Sequence, residues 1–217
     1  MTIKPTHPDN SRSTLERILD GCRLSPESLA EATHEIEQIF AEDRAVLVMD
    51  MSGFSRTTVH HGIVASLAMI HQVRSIARPC IEGSGGVLVK AEADNLFCLF
   101  DTPALALGAA DEVIRRLGVA NATIPEDRRL YVSIGIGFGR ILNIANEDLF
   151  GHEVNLASKL GEDIGKRNEV LLTAAARCSL TREALGLREE AVEISGLIVP
   201  YFVVEKLDLG YGDAACA

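Results

Sequence analysis

The order in which apolar segments follow one another from residue 45 onward limits this chain to few folds. Two segments carry apolar residues at helical spacing, and four are short apolar or alternating runs of the kind that form strands. In the last run, Ser133, Gly135 and Gly137 share a bare face that leaves room for a helix or a ligand. The segments are AVLVMD (45–50), a helix at about 57–77, GVLVK (86–90), NLFCLF (95–100), a helix at about 102–117 and LYVSIGIGFG (130–139). This β-α-β-β-α-β order predicts an α+β fold with a ferredoxin-like core.

Further elements flank this core on both sides. Ser13 with Glu16 and Ser25 with Pro26 predict the starts of two helices before the first strand. After the core, the pattern predicts a helix at 151–165, a strand at 169–173 and a C-terminal pair of strands in VEISG and PYFVVEKL. We therefore expect an acidic helical extension (1–43), one main domain (44–208) and a short tail (209–217).

Composition and charge exclude several classes of function. Of the 217 residues, 47% are apolar and 24% are charged, which is typical of a soluble globular domain. The 21 Lys and Arg against 31 Asp and Glu give a formal net charge of −10, and an acidic surface repels nucleic-acid backbones. Residues 1–43 hold 4 basic and 9 acidic side chains, and there we expect a solvated acidic helix face that could also dock a regulatory partner.

Cysteine usage and the N-terminal sequence indicate a location. The five cysteines are scattered without a metal-binding or disulfide pattern, as expected for free thiols in a reducing compartment. The segment MTIKPTHPDNSRS lacks the apolar core of a signal peptide, and the longest apolar stretch, around 62–70, is too short to span a bilayer. We expect a cytoplasmic protein that contacts no membrane.

Two aspartates are expected to lie near each other when the predicted strands are arranged as a sheet. In a βαββαβ sheet the first and third strands are adjacent and antiparallel, so Asp50 at the end of the first and Asp94 before the third fall at the same edge. Carboxylates are ligands that Mg²⁺ prefers, and pairs of metal ions serve phosphoryl transfer. Each aspartate taken alone is better explained as an ordinary turn residue.

The loop after Asp50 is a candidate phosphate site. Free amide groups and the dipole at the N-terminus of a helix favour phosphate, and a glycine allows close approach. An ordinary strand–helix turn also explains this loop. The candidate substrate-binding residues are Ser52, Gly53 and Phe54.

From about Arg44 to Leu207 the chain resembles the class III nucleotidyl cyclases, the catalytic domains of adenylate and guanylate cyclases. The blocks VLVMDMSGFS, GGVLVKAEADNLFCLF, SIGIGFG and DLFGHEVNLASKL carry the resemblance, in the family's order. The resemblance implies that the ribose 3′-hydroxyl of a nucleoside triphosphate attacks the α-phosphate, giving a 3′,5′-cyclic nucleotide and pyrophosphate. It also implies two metal ions per site, Mg²⁺ or Mn²⁺, held by Asp50, Asp94 and the backbone carbonyl of Met51.

The same resemblance assigns the remaining site residues. Lys90 and Asp148 fall on the family's purine-reading pair, and a donor-only lysine with an acceptor-only aspartate suits adenine, which favours ATP over GTP. Asn155 falls on the residue that orients the ribose, and Lys159 on the one that stabilises the transition state. These two are four residues apart on a predicted helix, so they differ by about 40° and share a face. Because the family's active sites form between two chains, the resemblance implies a homodimer.

Several positions depart from the family pattern. Lys159 replaces an arginine, Ala93 replaces a glycine before the second metal aspartate, and segment 194–197 lacks the lysine that often holds the triphosphate. These departures leave open a weakly active or inactive cyclase-homology module that binds nucleotide or regulates a partner. A guanylate cyclase is less favoured because of Lys90. The acidic charge and the lack of a basic, aromatic face disfavour a ferredoxin-like RNA-binding domain.

Overall fold

The first predicted strand lies in the middle of the sheet in the computed structural model, which describes the backbone of residues 7–52, 54–180, 185–194 and 196–207. Side chains are described for the same residues except 54–61, 185, 206 and 207. The helices are α1 (Arg12–Gly21), α2 (Pro26–Phe40), α3 (Phe54–Gly83), α4 (Pro103–Asn121), α5 (His152–Ser158) and α6 (Ala174–Cys178). The strands are β1 (Ala41–Met51), β2 (Val87–Glu92), β3 (Asn95–Phe100), β4 (Val132–Ile144), β5 (Asp148–Phe150), β6 (Val170–Thr173), β7 (Leu185–Ile194) and β8 (Leu197–Leu207). A 3₁₀ turn at Glu126–Arg128 precedes β4, and a π-helix at Lys159–Ile164 follows α5.

The described strands form one sheet in the order β2-β3-β1-β4-β6-β8-β7, with β5 paired to β4. β1 is antiparallel to both of its neighbours, and Met49 lies opposite Leu96 of β3 and Ile134 of β4. β6 then joins β4 in parallel, and β8 and β7 extend the sheet as an antiparallel pair. The α+β class and the ferredoxin-like core predicted from the sequence are confirmed.

Apolar side chains fill both faces of the sheet around β1. On one face, α3 and α4 pack in a core that contains Leu47 and Met49. On the other face, Val154 of α5 packs in a cluster with Val46 and Val48. β1 is therefore buried on both sides, which explains why its sequence is a continuous apolar run rather than an alternating one.

The two N-terminal helices pack beside the C-terminal end of β4. Ile18 of α1, Phe40 of α2 and Ile144 of β4 belong to one small apolar cluster. The N-cap of α1 is Ser11, whose hydroxyl accepts a hydrogen bond from the Thr14 amide, so the prediction of a cap at Ser13 is wrong. α2 begins after Ser25 as predicted, and it leads directly into β1.

Two predicted helices differ in detail from the observed ones. The helix expected at 57–77 spans Phe54–Gly83 and is interrupted at Gly62, whose φ of 80° is not helical. The single helix expected at 151–165 is α5 followed by the π-helix, a widened turn that often occurs at functional sites. No helix in the described part of the chain is long and apolar enough to cross a membrane.

The glycine-lined face of β4 lies unusually close to α5, as its glycines predict. A Cβ atom at Gly135 would lie 2.0 Å from the carbonyl oxygen of Ala157, and one at Gly137 would lie 2.6 Å from that of Glu153. The backbone of α5 therefore lies directly on this strand, which a larger residue would prevent. This contact sets the position of the helix that carries Asn155.

We expect Gly135→Ala to lower the free energy of unfolding by about 1–3 kcal/mol, because the added methyl group overlaps the backbone of α5. The matched control is Gly108→Ala in α4, where a Cβ meets open space. That variant should gain about 0.5–1 kcal/mol through its better helix propensity. Urea denaturation of both variants measures the difference, and equal stability of the two would contradict the close contact.

Candidate active site

Asp50 and Asp94 come together at one edge of the sheet, as the strand order predicts. Asp50 is the penultimate residue of β1, and Asp94 lies in the turn between β2 and β3. Because β1 pairs with β3, that turn is brought beside the end of β1. The two carboxylates are close enough for Asp94 to raise the pKa of Asp50.

Several causes make Asp50 an unusually weak acid. Burial contributes most, and the charge of Asp94 adds to it. The carboxylates of Glu162 and Asp163 act in the same direction, while a hydrogen bond from the Met51 amide opposes them. The net result raises the pKa of Asp50 to about 7. A cation at this edge would relieve the repulsion among these carboxylates.

An open cleft of about 510 Å³ lies beside Asp50. Ser52 is fixed in its wall, because its amide donates to the Tyr131 carbonyl at 3.0 Å and its hydroxyl contacts that of Ser133 at 3.5 Å. The cleft combines acidic and basic side chains, which suits a phosphate that arrives with its metal ion. The lining residues are Asp50, Ser52, Ser133, Glu162, Gly165, Lys166 and Arg167.

The donor set at this edge fits a hard divalent cation. Mg²⁺ is commonly held by one or two carboxylates, and phosphate oxygens and water fill its other positions. Asp50 and Asp94 can supply those carboxylates. Among the described residues, no group of three or more His, Cys, Asp or Glu side chains forms a complete metal site. A metal ion here would therefore need substrate or water oxygens, and the role of the Met51 carbonyl stays a prediction.

The predicted purine-reading residues, Lys90 and Asp148, also come together. The Lys90 ammonium donates a hydrogen bond to Oδ1 of Asp148 at 2.9 Å, and the Leu149 amide donates to the same oxygen at 2.9 Å. A register shift in β2 between Leu88 and Lys90 precedes the point where Lys90 pairs with Phe97. The ammonium lies 4.7 Å from the centre of the Phe97 ring, a favourable cation–π distance.

Each member of this pair holds the other in its charged form. Burial is the largest single effect and would lower the pKa of Lys90, but the hydrogen bonds and negative charges of Asp148 and Glu92 together outweigh it and raise the pKa. Burial alone would raise the pKa of Asp148, but the hydrogen bonds from Lys90 and the Leu149 amide lower it. A lysine that donates and a carboxylate that accepts are therefore both present at neutral pH.

The other predicted site residues lie on α5 and the π-helix. Asn155 is exposed on α5, and Lys159 forms an ion pair with Asp163 one turn further on. The residues that line the cleft beside Asp50 do not include Lys90, Asp148, Asn155 or Lys159.

Two further candidates cannot be placed in the site: Gly53 and the side chain of Phe54 lie outside the described residues.

Sequence reasoning missed the two cations of the cleft. Lys166 and Arg167 follow the π-helix after one residue, Gly165, and the guanidinium of Arg167 lies 4.9 Å from the ring centre of Tyr131. The only local signal was a Gly-Lys-Arg sequence shortly after a predicted catalytic helix. That signal is weak, because exposed Lys-Arg pairs are common on protein surfaces.

Comparison with known proteins gives a consistent picture. No family model matches the chain. A curated protein of Rhizobium meliloti (strain 1021), named "Putative adenylate cyclase 3", is 25% identical over 116 residues, which cover 54% of this chain and 20% of that protein. The chain thus spans about a fifth of the length of that relative.

Solved structures match over most of the chain. An adenylate/guanylate cyclase/hydrolase from Silicibacter pomeroyi superposes with a TM-score of 0.66 at 24% identity, covering 76% of this chain and 96% of that one. The guanylyl cyclase Cya2 gives a TM-score of 0.68 at 17% identity, covering 79% and 95%. The adenylyl cyclase CyaB from P. aeruginosa gives 0.63 at 17% identity, covering 76% and 96%.

We expect Asp50→Asn to stabilise the metal-free protein at pH 8. A carboxyl group whose folded pKa exceeds its unfolded value loses stability as the pH rises from about 4 to 7, and above that the loss is complete. The gain should be about 1–2 kcal/mol after allowance for solvent screening of this half-buried group. Thermal unfolding between pH 4 and pH 8 measures this gain in stability, and Asp20→Asn on exposed α1 is the control.

Mg²⁺ should stabilise the wild type at pH 8 more than it stabilises Asp50→Asn. An equal response of the two proteins would contradict a metal ion at Asp50.

Proposed function

We propose that this chain, which has the fold of the class III adenylate and guanylate cyclase catalytic domains, converts ATP to 3′,5′-cyclic AMP and pyrophosphate. The observation that supports this most is that the charge of Asp94 acts on Asp50, which lines a cleft together with Lys166 and Arg167. Such a site can hold a triphosphate together with its cations.

The acidic end of the site would bind the metal ions and the triphosphate. Asp50 and Asp94 would hold two divalent ions, Mg²⁺ or Mn²⁺. When bound, such ions neutralise the triphosphate and favour ionisation of the attacking 3′-hydroxyl. Lys166 and Arg167 would contact the outer phosphates and replace the lysine that segment 194–197 lacks. The loop amides that follow Ser52 would contact the same group.

The Lys90–Asp148 pair would read the base. Lys90 gives one N–H to Asp148 and lies 3.3 Å from the carboxylate of Glu92, which leaves a third N–H to donate to N1 of adenine. Oδ2 of Asp148 is the oxygen left to accept from the 6-amino group. Guanine presents a donor at N1 and an acceptor at position 6, so the same order of groups opposes it. We therefore propose ATP rather than GTP as the substrate.

A homodimer would join the two groups of residues. Within one chain, Lys90 and Asp148 line no part of the cleft beside Asp50, and Asn155 and Lys159 do not line it either. A two-fold arrangement places one chain's metal-binding edge against the other chain's base-reading face and α5. Asn155 would then orient the ribose, and Lys159 would stabilise the charge that develops on the reacting phosphate.

A nucleotide assay tests this proposal directly. Purified protein is incubated with ATP or GTP in Mg²⁺ or Mn²⁺, and cyclic nucleotide is measured by chromatography. We expect cyclic AMP from ATP, little cyclic GMP from GTP, and no product from Asp50→Ala. Full activity of Asp50→Ala, or a preference for GTP, would overturn the assignment.

A second candidate is a nucleotide-binding module without turnover. The observation in its favour is Lys159, which lacks the two-pronged guanidinium of an arginine and is already paired with Asp163. Thermal stabilisation by ATP and Mg²⁺ without any cyclic product would support this candidate against the enzyme.

Two lysine variants should separate transition-state stabilisation from substrate binding. We expect Lys159→Ala to lower kcat by about 10²–10³-fold with little change in KM, because its charge acts on the transition state. Lys166→Ala should mainly raise KM, because its charge acts on phosphates that are present throughout the reaction. Steady-state kinetics with ATP measures both, and Lys159→Arg is the control that retains the charge. The reverse pattern would show that the two roles are wrongly assigned.

A further inference from the structure

The first helix reaches the residue that we propose reads the base. Oδ1 of Asp148 is occupied by Lys90 and the Leu149 amide. The guanidinium of Arg12 lies 3.8 Å from the other oxygen, Oδ2, and 3.7 Å from the carboxylate of Glu147. Arg12 therefore faces the acceptor that would otherwise be left for the 6-amino group of adenine.

Arg12 is held in this position by a built contact. The side chain of Asn10 donates to the carbonyl of Asn143 at 2.9 Å and accepts from the amide of Ala145 at 2.8 Å. These two bonds fasten the chain before α1 to the turn that leads into β5. Ile18, in the middle of α1, is buried in the cluster with Ile144. The helix is therefore anchored both at its middle and just before its first residue.

The turn that receives Asn10 is itself held by hydrogen bonds. Asn143 is buried and donates to Glu42 at 2.6 Å and to Asn146 at 2.8 Å. Its carbonyl and side chain thus link the segment before α1 to the turn that precedes Asp148. A change at Asn10 would be transmitted to this turn.

The placement of Arg12 is not explained by the helix that it begins. It is the first residue of α1, where the helix dipole disfavours a positive charge. The first turn of α1 contains no acidic residue to offset it. The carboxylates of Glu147 and Asp148 are the groups that account for its position.

We propose that Arg12 competes with the adenine base for Oδ2 of Asp148 and thereby lowers the affinity for ATP. The inference rests on the proposed function, since it takes Asp148 as the base-reading acceptor. Arg12 is half-exposed, so the ion pair is weak and the expected effect is about two- to fivefold in affinity. Its site lies apart from the carboxylates at the end of β1, so kcat should not change.

The test is the affinity of Arg12→Ala for α,β-methylene-ATP with Mg²⁺, an analogue that cannot be cyclised, measured by calorimetry. We expect the dissociation constant to fall about two- to fivefold relative to the wild type, and Arg12→Lys to remain close to the wild type. The matched control is Arg17→Ala, because Arg17 lies on the same helix and pairs with Glu35 at 2.9 Å. An unchanged or weaker affinity of Arg12→Ala would overturn the proposal.

A second variant tests the anchor. Asn10→Ala should also tighten binding of the analogue, and it should speed amide hydrogen exchange in residues 143–149. Unchanged exchange and affinity would show that Asn10 does not hold Arg12 in place. A wild type that binds the analogue but makes no cyclic AMP contradicts only the proposed function, whereas a wild type that binds no nucleotide contradicts both.

Discussion

The antiparallel pairing of β1 with β3 and β4 is the constraint on which the rest of the structure depends. It places Asp50 beside the turn that carries Asp94 on one side and opposite Ser133 on the other. Because side chains alternate along a strand, a slip of one residue would turn every side chain of β1 to the opposite face. The apolar residues that precede Asp50 are buried on both faces, and this burial holds the register. The core therefore fixes the carboxylates even though they repel one another.

The close contact between β4 and α5 is the second requirement. Gly135 and Gly137 admit the backbone of α5, and Gly161 in the π-helix lies against Val48 in the same way, since a Cβ there would be 2.7 Å from the Val48 carbonyl oxygen. This packing brings the acidic residues of the π-helix near Asp50. The site thus concentrates negative charge that lowers stability without a cation, and the buried faces of the sheet offset that cost.

Much of this could be predicted from the sequence, because the signals were local. The strand order followed from periodicity, and the Lys90–Asp148 pair followed from a resemblance in short motifs. The register shift after Leu88 and the change from α- to π-helix at Lys159 left no such signal. In a π-helix each hydrogen bond spans one residue more than in an α-helix. Packing against β1 and β4 decides between the two forms here. Arg12 was missed because its partners Glu147 and Asp148 are distant in the sequence, and Lys166 was missed because Asp50, which lines the same cleft, is equally distant.

The two ends of the proposed site also differ in what a substitution can change. The negative charge of a nucleoside triphosphate lies on its phosphates, where Asp50 and Asp94 would act on the bond that breaks. The base is uncharged and does not react, so under our proposal Lys90 and Asp148 would contact it equally before and during the reaction, and Arg12 would act on it only through Asp148. Interactions of that kind alter substrate affinity without altering kcat. If the proposed function holds, a helix that contacts Asp148 would adjust the response to ATP concentration while leaving the reacting end unchanged.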